Sequence, residues 1–433
     1  MSATVVPQLP ARRPFAIGSF QWGFLVFGGF ALAAALFLYA CRPWNLTTHF
    51  MIGAPVGRDF VNFWSGGRLA LDGRLDLLAD FRGYNDFINA TFHYHPKFDE
   101  RLFSYPPHLL PFLVPFAALP YISAALLWTA LNLWLIGRTV RLLAPGALGL
   151  QLAALLSPAV VAMVAFGHFG GVLAFLVTYV LTRAHAQPLV AGLCLALISV
   201  KPHLAVGFGL FLLLTGGWRA VLWSLPATAG LVGISLAAFG LKPWINFFEW
   251  TVPWQGALLS IFVHSVLTCV VSVYEGARLS GLGETAAYTW QCIYAAVVLG
   301  GSAALAIQRG MTPRVVTLAL LAGLSAMPYF ATYDLAIAAP ALAVALFADQ
   351  PGESRPFLPL FPASLFVLVP VIQTIFDTLL VPAGSFITAG GVLLALVREA
   401  LAPPSGADRP LVFAPLPAIA MDACSPIRAQ GPQ

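Results

Sequence analysis

Asp59 has the clearest potential for chemistry in this sequence. It follows Arg58 and precedes a largely aromatic segment at residues 60–64. A carboxylate in such surroundings could act as a general base at a boundary between water and lipid. Two alternatives stay open, because aspartate is also favoured at helix N-caps and in surface ion pairs. Asn62, just downstream, is a further candidate site residue.

Tyr105 lies in a second candidate segment, residues 103–108, which reads FSYPPH. Its two prolines restrict the backbone immediately before a long apolar run begins. The tyrosine could therefore be held in a fixed position beside a site. The alternative is a plain junction between a loop and a helix, where proline is common in the first turn.

Lys201 and His203 form a third candidate site at a polar break, SVKPH at residues 199–203, inside an apolar run. An ionised lysine at membrane depth costs roughly 2.5–3.5 kcal/mol on insertion scales. Lys201 should therefore face a cavity, an anion or a carboxylate partner. Together with His203 it could bind a lipid-linked phosphate, with Arg58 as a further cation. The alternative is that Lys201 extends to an interface.

Three more candidates lie at turns between apolar segments. They are Tyr333 and Asp334 in one turn and His168 in another. An acid between two apolar segments is either a site residue or a loop residue. A lone histidine at a turn is more often structural than functional.

Composition decides which elements must position these residues. Of the 433 residues, 59% are hydrophobic and only 9% are charged, against roughly 25% charged in soluble domains. This excludes a cytosolic globular protein and a disordered chain. The sequence predicts an all-α polytopic membrane protein. The five cysteines are scattered and show no metal or redox spacing, so we expect no cofactor and no metal. Nucleic acid is not an expected partner, because Arg12 and Arg13 form the longest basic cluster.

The charges are concentrated in one segment. The chain has 22 Lys and Arg and 17 Asp and Glu, and residues 42–107 hold 14 of these. We interpret 42–107 as a first outer loop. The other predicted divisions are a cytoplasmic N-terminus at 1–19, a transmembrane domain at 20–401 with a second outer loop at 241–284, and a disordered cytoplasmic tail at 402–433.

The apolar remainder divides into about 11–12 hydrophobic segments. Segments 188–200 and 203–216 are too short to cross a membrane, since a span needs about 20 residues. They should be half-length helices that meet at Lys201. Segment 108–143 is too long, and its prolines should leave a short helix before a crossing that starts near 121. Arginines in the short loops place the N-terminus in the cytoplasm and the 42–107 loop outside.

Several short runs resemble glycosyltransferase family 87, whose members are polyprenol-phosphate-mannose-dependent mannosyltransferases of the C-type superfamily. The resemblance is most specific over residues 57–133 and diffuse beyond it. One departure is Gly167-His168, where family members often have Gly-Gln. The matching runs are Asp59, WSGGRLALDG at 64–73, FSYPP at 103–107, LPY at 119–121, AALLW at 124–128, LNL at 131–133 and Lys201-Pro202.

The resemblance implies a C-type glycosyltransferase architecture with a large first extracytoplasmic loop. It implies an integral protein of a bacterial-type plasma membrane, with its active site on the extracytoplasmic side. The donor would be a sugar on a polyprenyl phosphate, most often mannose, and the acceptor a lipid or glycan hydroxyl. Transfer would invert the anomeric centre, and the family's catalytic base corresponds to Asp59. Membrane lipids would be the other partners.

Two other classes of protein compete with this interpretation. A transporter or flippase of lipid-linked sugars should have several intramembrane ionisable residues or symmetric halves. This chain has one conspicuous polar break, and its charges cluster in one outer loop. A non-catalytic protein of envelope assembly is the third possibility. Covalent transfer of a labelled sugar separates the enzyme from both.

Overall fold

The computed structural model describes residues 59–92, 102–261, 270–347 and 382–402. These residues form helices and contain no strand, apart from a single antiparallel bridge between Val270 and Ala331. The predicted all-α class is therefore confirmed. Arg58, the N-terminal segment 1–19, the apolar segments 20–41 and 357–377, and tail residues 403–433 lie outside the described residues.

The part of the first outer loop that is described is helical. Helix α1 spans Phe60–Leu71 and α2 spans Phe81–Phe92, with a short 3₁₀ turn at Leu75–Leu78 between them. A 3₁₀ turn at Pro107–Leu109 then leads into α3, Leu110–Ala117, and α4, Tyr121–Leu143. Helix α4 is bent by 115° relative to the preceding helical segment at residues 107–117. The predicted interruption before residue 121 is confirmed, and Pro120 lies at the bend.

The rest of the described chain is a succession of helices of very different lengths. A π-helical turn at Phe247–Thr251 lies between α11 and α12, and a 3₁₀ turn at Thr332–Asp334 precedes α16. The helices are α5 Leu148–Leu155, α6 Pro158–Phe166, α7 Gly170–Arg183, α8 Pro188–Ile198, α9 Pro202–Leu214, α10 Trp218–Phe239, α11 Lys242–Asn246, α12 Val252–Ile261, α13 Val273–Leu279, α14 Glu284–Arg309, α15 Pro313–Ser325, α16 Leu335–Phe347 and α17 Ala383–Leu401.

Three of the described helices, α10, α14 and α17, are long and apolar enough to cross a membrane, and the number rises to five if each of two bent pairs is one span. The break between α8 and α9 lies where the sequence predicts it, at residues 199–201. The apolar run at 147–166 is one of the predicted hydrophobic segments, and it contains two helices, α5 and α6, and not one continuous helix. Ser157 accepts a capping hydrogen bond from the backbone N–H of Val160, and Pro158 starts a new helix bent by 53°.

Helix α16 is the centre of the core. Its residues 335–344 are all buried, and it packs against α4, α5, α7 and α15. Because the 3₁₀ turn at Thr332–Asp334 leads directly into this helix, the packing of α16 fixes the position of that turn.

Helix α4 holds the turn between α6 and α7. The Asn132 side-chain oxygen accepts hydrogen bonds from the backbone N–H groups of Gly171 at 3.0 Å and Val172 at 3.2 Å, which caps the start of α7. The indole N–H of Trp128 donates to the carbonyl of Gly167 at 3.0 Å. Gly167 has φ +70°, a conformation that glycine adopts without strain. Trp128 and Asn132 therefore fix the backbone on both sides of His168.

We expect Gly171→Ala to destabilise the protein, because the new Cβ would overlap the backbone oxygen of Asn132. Overpacking of this kind costs about 1–3 kcal/mol or more. Gly230→Ala is the matched control, since a Cβ at Gly230 in α10 meets nothing within 4 Å. Thermal unfolding in detergent should show a lower midpoint for Gly171→Ala only. Equal midpoints for both variants would show that α4 and α7 do not approach as closely as described.

Candidate functional site

Most of the predicted site residues lie around the turn at residues 167–169. The backbone N–H of Asp59 donates to the carbonyl of Phe166 at 2.6 Å, which ties the start of α1 to the end of α6. The Tyr105 hydroxyl lies 3.3 Å from Nε2 of His168. The ring of Tyr333 stacks on His168 with centroids 4.5 Å apart. Segments far apart in the sequence thus meet at one place.

Lys201 and Asp334 form an ion pair at this place. The ammonium donates to Oδ1 of Asp334 at 2.7 Å, and the two side chains are 8% and 3% exposed. The other carboxylate oxygen accepts from the backbone N–H of Ala331 at 3.3 Å. The expected carboxylate partner of Lys201 is therefore Asp334. The alternative, that Lys201 extends to an interface, is wrong because the side chain is buried.

Two aromatic rings also face the Lys201 ammonium. Nζ lies 5.6 Å from the ring centre of Phe169 and 5.7 Å from that of Tyr333. These distances allow a cation–π attraction, which is strongest when the cation has lost its water. The Lys201–Asp334 pair carries no net charge, and the rings of Phe169 and Tyr333 pack against its ammonium.

His168 is clamped between the same two rings. Its imidazole stacks on Phe169 at 4.7 Å and on Tyr333 at 4.5 Å, and it is 2% exposed. Phe63 approaches from the edge at 5.8 Å. The position of the ring is therefore fixed on both faces, which gives this turn histidine a defined orientation beside Lys201.

Asp59 occupies the N-cap position of α1, but its side chain makes no capping hydrogen bond to that helix. The N-cap interpretation is therefore not supported. The residue is partly exposed, and its backbone bond to Phe166 places it next to the buried cluster.

Asn62 and His203 occupy less central positions. The Tyr84 hydroxyl donates to the backbone and side-chain oxygens of Asn62, both at 3.3 Å, so Asn62 connects α1 to α2. His203 follows Lys201 in the first turn of α9, and its ring meets Tyr329 edge-on at 6.4 Å.

A contact between His108 and Ser199 was not predicted from the sequence. Nε2 of His108 lies 3.0 Å from the Ser199 hydroxyl, and the His108 ring stacks on Trp244 at 5.7 Å. The end of the first outer loop is thus joined to the helix break that carries Lys201. The sequence identifies residues 103–108 and 199–203 as two separate motifs. Their spacing does not predict that His108 and Ser199 come into contact.

Burial and neighbouring charges shift the protonation equilibria of the turn residues. Burial raises the pKa of the Tyr105 hydroxyl well above 10.0, and the carboxylates of Asp59 and Asp334 raise it further. Burial lowers the pKa of His168 well below 6.5, and the charge of Lys201 lowers it further. At neutral pH the tyrosine keeps its proton and the imidazole is uncharged.

The neutral imidazole of His168 makes a testable contribution to the pH dependence of stability. The unfolded chain binds a proton below pH about 6.5, whereas the folded chain does not. The contribution of His168 to the free energy of unfolding is therefore fully present above pH about 6.5. Below that pH it falls by about 1.4 kcal/mol per pH unit. We expect the unfolding temperature to fall between pH 7.5 and pH 5.5, and to fall less in His168→Asn.

Replacement of the exposed His185 is the control for this measurement. His185→Asn should show the same fall as the unaltered protein. If His168→Asn also shows that full fall, the folded protein protonates His168 and the neutral assignment is wrong.

The described residues offer no group of three or more His, Cys, Asp or Glu side chains that could hold a metal ion. The arrangement is instead suited to a polar ligand. It combines a buried ammonium, a neutral imidazole, a tyrosine hydroxyl and the partly exposed Asp59, all beside apolar helices.

Comparison with known proteins identifies the family. The sequence model of glycosyltransferase family 87 matches residues 103–331, which is more than half of the chain. The match includes Tyr105, His168 and Lys201, but it begins after Asp59 and ends before Tyr333 and Asp334. It therefore covers only part of the region where the resemblance is most specific. No curated protein and no solved structure matches the chain. The chain belongs to glycosyltransferase family 87 and is a membrane glycosyltransferase.

Proposed function

We propose that the protein transfers a sugar from a polyprenyl phosphate to a hydroxyl of a lipid or glycan acceptor. Mannose is the first candidate for the sugar, because it is the family's usual donor sugar. The observation that carries this proposal is the meeting of Asp59, the 167–169 turn and the Lys201–Asp334 pair at one place. A donor with an apolar tail and an anionic head needs such a polar site at the end of apolar helices.

Lys201 is the proposed ligand of the donor phosphate. Within the described part of the chain, Asp334 is the one hydrogen-bond partner of its ammonium, which has three N–H groups. The rings of Phe169 and Tyr333 lie 5.6 Å and 5.7 Å from Nζ, so a phosphate oxygen could replace one of these weaker contacts. A charge-assisted hydrogen bond of this kind is stronger than a neutral one. His203 and Arg58 are further proposed phosphate ligands.

Asp59 is the proposed general base. Its carboxylate takes the proton from the acceptor hydroxyl, and the hydroxyl oxygen forms a bond to the anomeric carbon. The bond from that carbon to the phosphate oxygen breaks, and its electron pair leaves with the polyprenyl phosphate. A single displacement of this kind inverts the anomeric centre. Lys201 would stabilise the charge that develops on the departing phosphate.

The proposed side of the membrane is the outer face of a bacterial-type plasma membrane. Helix α7 begins at the 167–169 turn and ends at Arg183, and α15 begins beside Arg314 and leads back towards Asp334. The arginines thus lie at the helix ends remote from the site. Because short cytoplasmic loops are rich in Arg, this arrangement supports a site on the opposite, outer side.

The test of this function is covalent transfer by the purified protein. It would be given radiolabelled mannose, glucose or a pentose on a polyprenyl phosphate, with membrane lipid and glycan extracts as acceptors, and nucleotide sugars as the control donors. We expect label in a new product from a polyprenyl phosphate donor alone. Transfer from a nucleotide sugar alone would contradict the proposed donor. Movement of an intact donor between leaflets without a product would favour a transporter.

A further inference from the structure

The two ring nitrogens of His168 have different surroundings. Nε2 is within hydrogen-bonding distance of the Tyr105 hydroxyl, but Nδ1 is buried and has no hydrogen-bond partner among the described residues. A buried polar group without a partner costs about 1–3 kcal/mol. Such groups are uncommon in native proteins, and a catalytic role or a bound water or ion is among the established explanations for them.

The contact with Tyr105 indicates which proton His168 carries. In the described part of the chain, His168 is the only hydrogen-bond partner of the Tyr105 hydroxyl. If the hydroxyl donates to Nε2, its proton is satisfied and Nδ1 carries the imidazole proton. In the opposite arrangement the tyrosine proton and Nδ1 would both lack partners. The first arrangement leaves fewer groups unsatisfied, and it makes Nδ1 an unused donor.

The unused donor lies beside the buried ion pair. His168 shares both of its stacking partners, Phe169 and Tyr333, with the Lys201 ammonium. Because Asp334 already balances the charge of Lys201, the pair carries no net charge to attract an anion. A phosphate bound there needs further hydrogen-bond donors, and a neutral N–H provides one without disturbing the charge balance.

We infer that Nδ1 of His168 donates a hydrogen bond to a phosphate oxygen of the polyprenyl phosphate, next to Lys201. Tyr105 is the positioning residue, because its hydroxyl holds the imidazole in the required tautomer. This inference rests on the proposed function.

The probe for this inference is undecaprenyl phosphate, which is the leaving group for any sugar on that carrier. Undecaprenol, which lacks the phosphate, is the matched control ligand. Binding would be measured with the full chain in nanodiscs for the unaltered protein, His168→Asn and His168→Gln. The asparagine amide can reach the position of Nδ1, whereas the longer glutamine amide can reach that of Nε2. The two variants therefore separate the proposed role from the contact with Tyr105.

We expect His168→Gln to bind undecaprenyl phosphate roughly tenfold or more weakly, as expected for loss of a hydrogen bond to a charged group. His168→Asn should bind within about threefold of the unaltered protein. Binding of undecaprenol should not distinguish the three proteins. Near-normal binding by His168→Gln, or stronger binding by His168→Gln than by His168→Asn, would overturn the inference.

A second measurement is made on the unaltered protein, so it does not depend on how well the His168 variants fold. In ¹⁵N-histidine-labelled protein, the Nδ1–H resonance of His168 should shift when undecaprenyl phosphate is added, and Tyr105→Phe should reduce the Nδ1-protonated form. An unchanged resonance on saturation would overturn the inference. If the unaltered protein does not bind undecaprenyl phosphate at all, the proposed donor is wrong, which is a different outcome.

Discussion

The Asp59→Asn variant is expected to fold and insert normally but to turn over at least about 100-fold more slowly, since general base catalysis contributes 10²–10⁴-fold. The amide has almost the shape of the carboxylate but cannot accept the acceptor's proton. The backbone N–H of Asp59, which donates to Phe166, is unchanged by the substitution. The initial rate of sugar transfer, at equal amounts of folded protein, is the quantity to measure.

Asp72→Asn is the matched control for this variant. Asp72 lies at the other end of the same helix and pairs with Arg68 at 3.0 Å in a partly exposed i,i+4 ion pair. Exposed pairs contribute about 0–1 kcal/mol to stability, so this variant should transfer sugar at the normal rate. Near-normal turnover by Asp59→Asn would remove Asp59 from the role of base.

The second large effect is expected when the Lys201–Asp334 pair is broken. Lys201→Met leaves a buried carboxylate without its cation, and Asp334→Asn leaves a buried ammonium without its anion. Removal of one partner of a buried pair costs about 3–5 kcal/mol. Both single variants should therefore unfold at clearly lower temperature or denaturant concentration.

The double variant Lys201→Met with Asp334→Asn separates stability from binding. It removes both charges and keeps an oxygen that can accept from the N–H of Ala331. We expect it to recover much of the lost stability and still to bind the polyprenyl phosphate donor poorly. Unchanged donor affinity in this variant would exclude Lys201 as a phosphate ligand.

A second buried ion pair provides the matched control. Arg309 and Glu399 are 2.9 Å apart, with side chains 12% and 9% exposed, at the end of α14 remote from the site. Arg309→Gln should also lower stability, because it leaves Glu399 with a more distant cation, Arg314, at 4.0 Å. Its donor affinity should stay normal. If Arg309→Gln lost as much donor affinity as the Lys201→Met, Asp334→Asn double variant, general destabilisation would explain the result, and not loss of the phosphate contact.

The local features of the fold could be predicted from the sequence because they depend on residues near one another. Proline and a polar break interrupt apolar runs wherever they occur, which is why the bend at Pro120 and the break at Lys201 were foreseen. Ser157 and Pro158 carry the same kind of signal, and they divide the apolar segment 147–166 into α5 and α6. The class of protein followed from composition alone.

The site itself was predicted as separate residues and not as an arrangement. Lys201 needed a partner on physical grounds, but Asp334 lies 133 positions away, and helix packing alone brings them together. The contact of Tyr105 with His168 spans 63 positions. Asn62 was expected near the chemistry because of its proximity to Asp59, whereas its contact with Tyr84 directs it towards α2. The roles of Trp128 and Asn132 as supports of the turn were also not foreseen.

The most direct test of the account is a structure of the protein in nanodiscs with a non-hydrolysable analogue of a polyprenyl-phosphate sugar. The account predicts the phosphate within hydrogen-bonding distance of Lys201 and the anomeric carbon on the side of Asp59, with the polyprenyl chain among the apolar helices. A phosphate bound away from the Lys201–Asp334 pair, with Asp59 remote from the sugar, would contradict it.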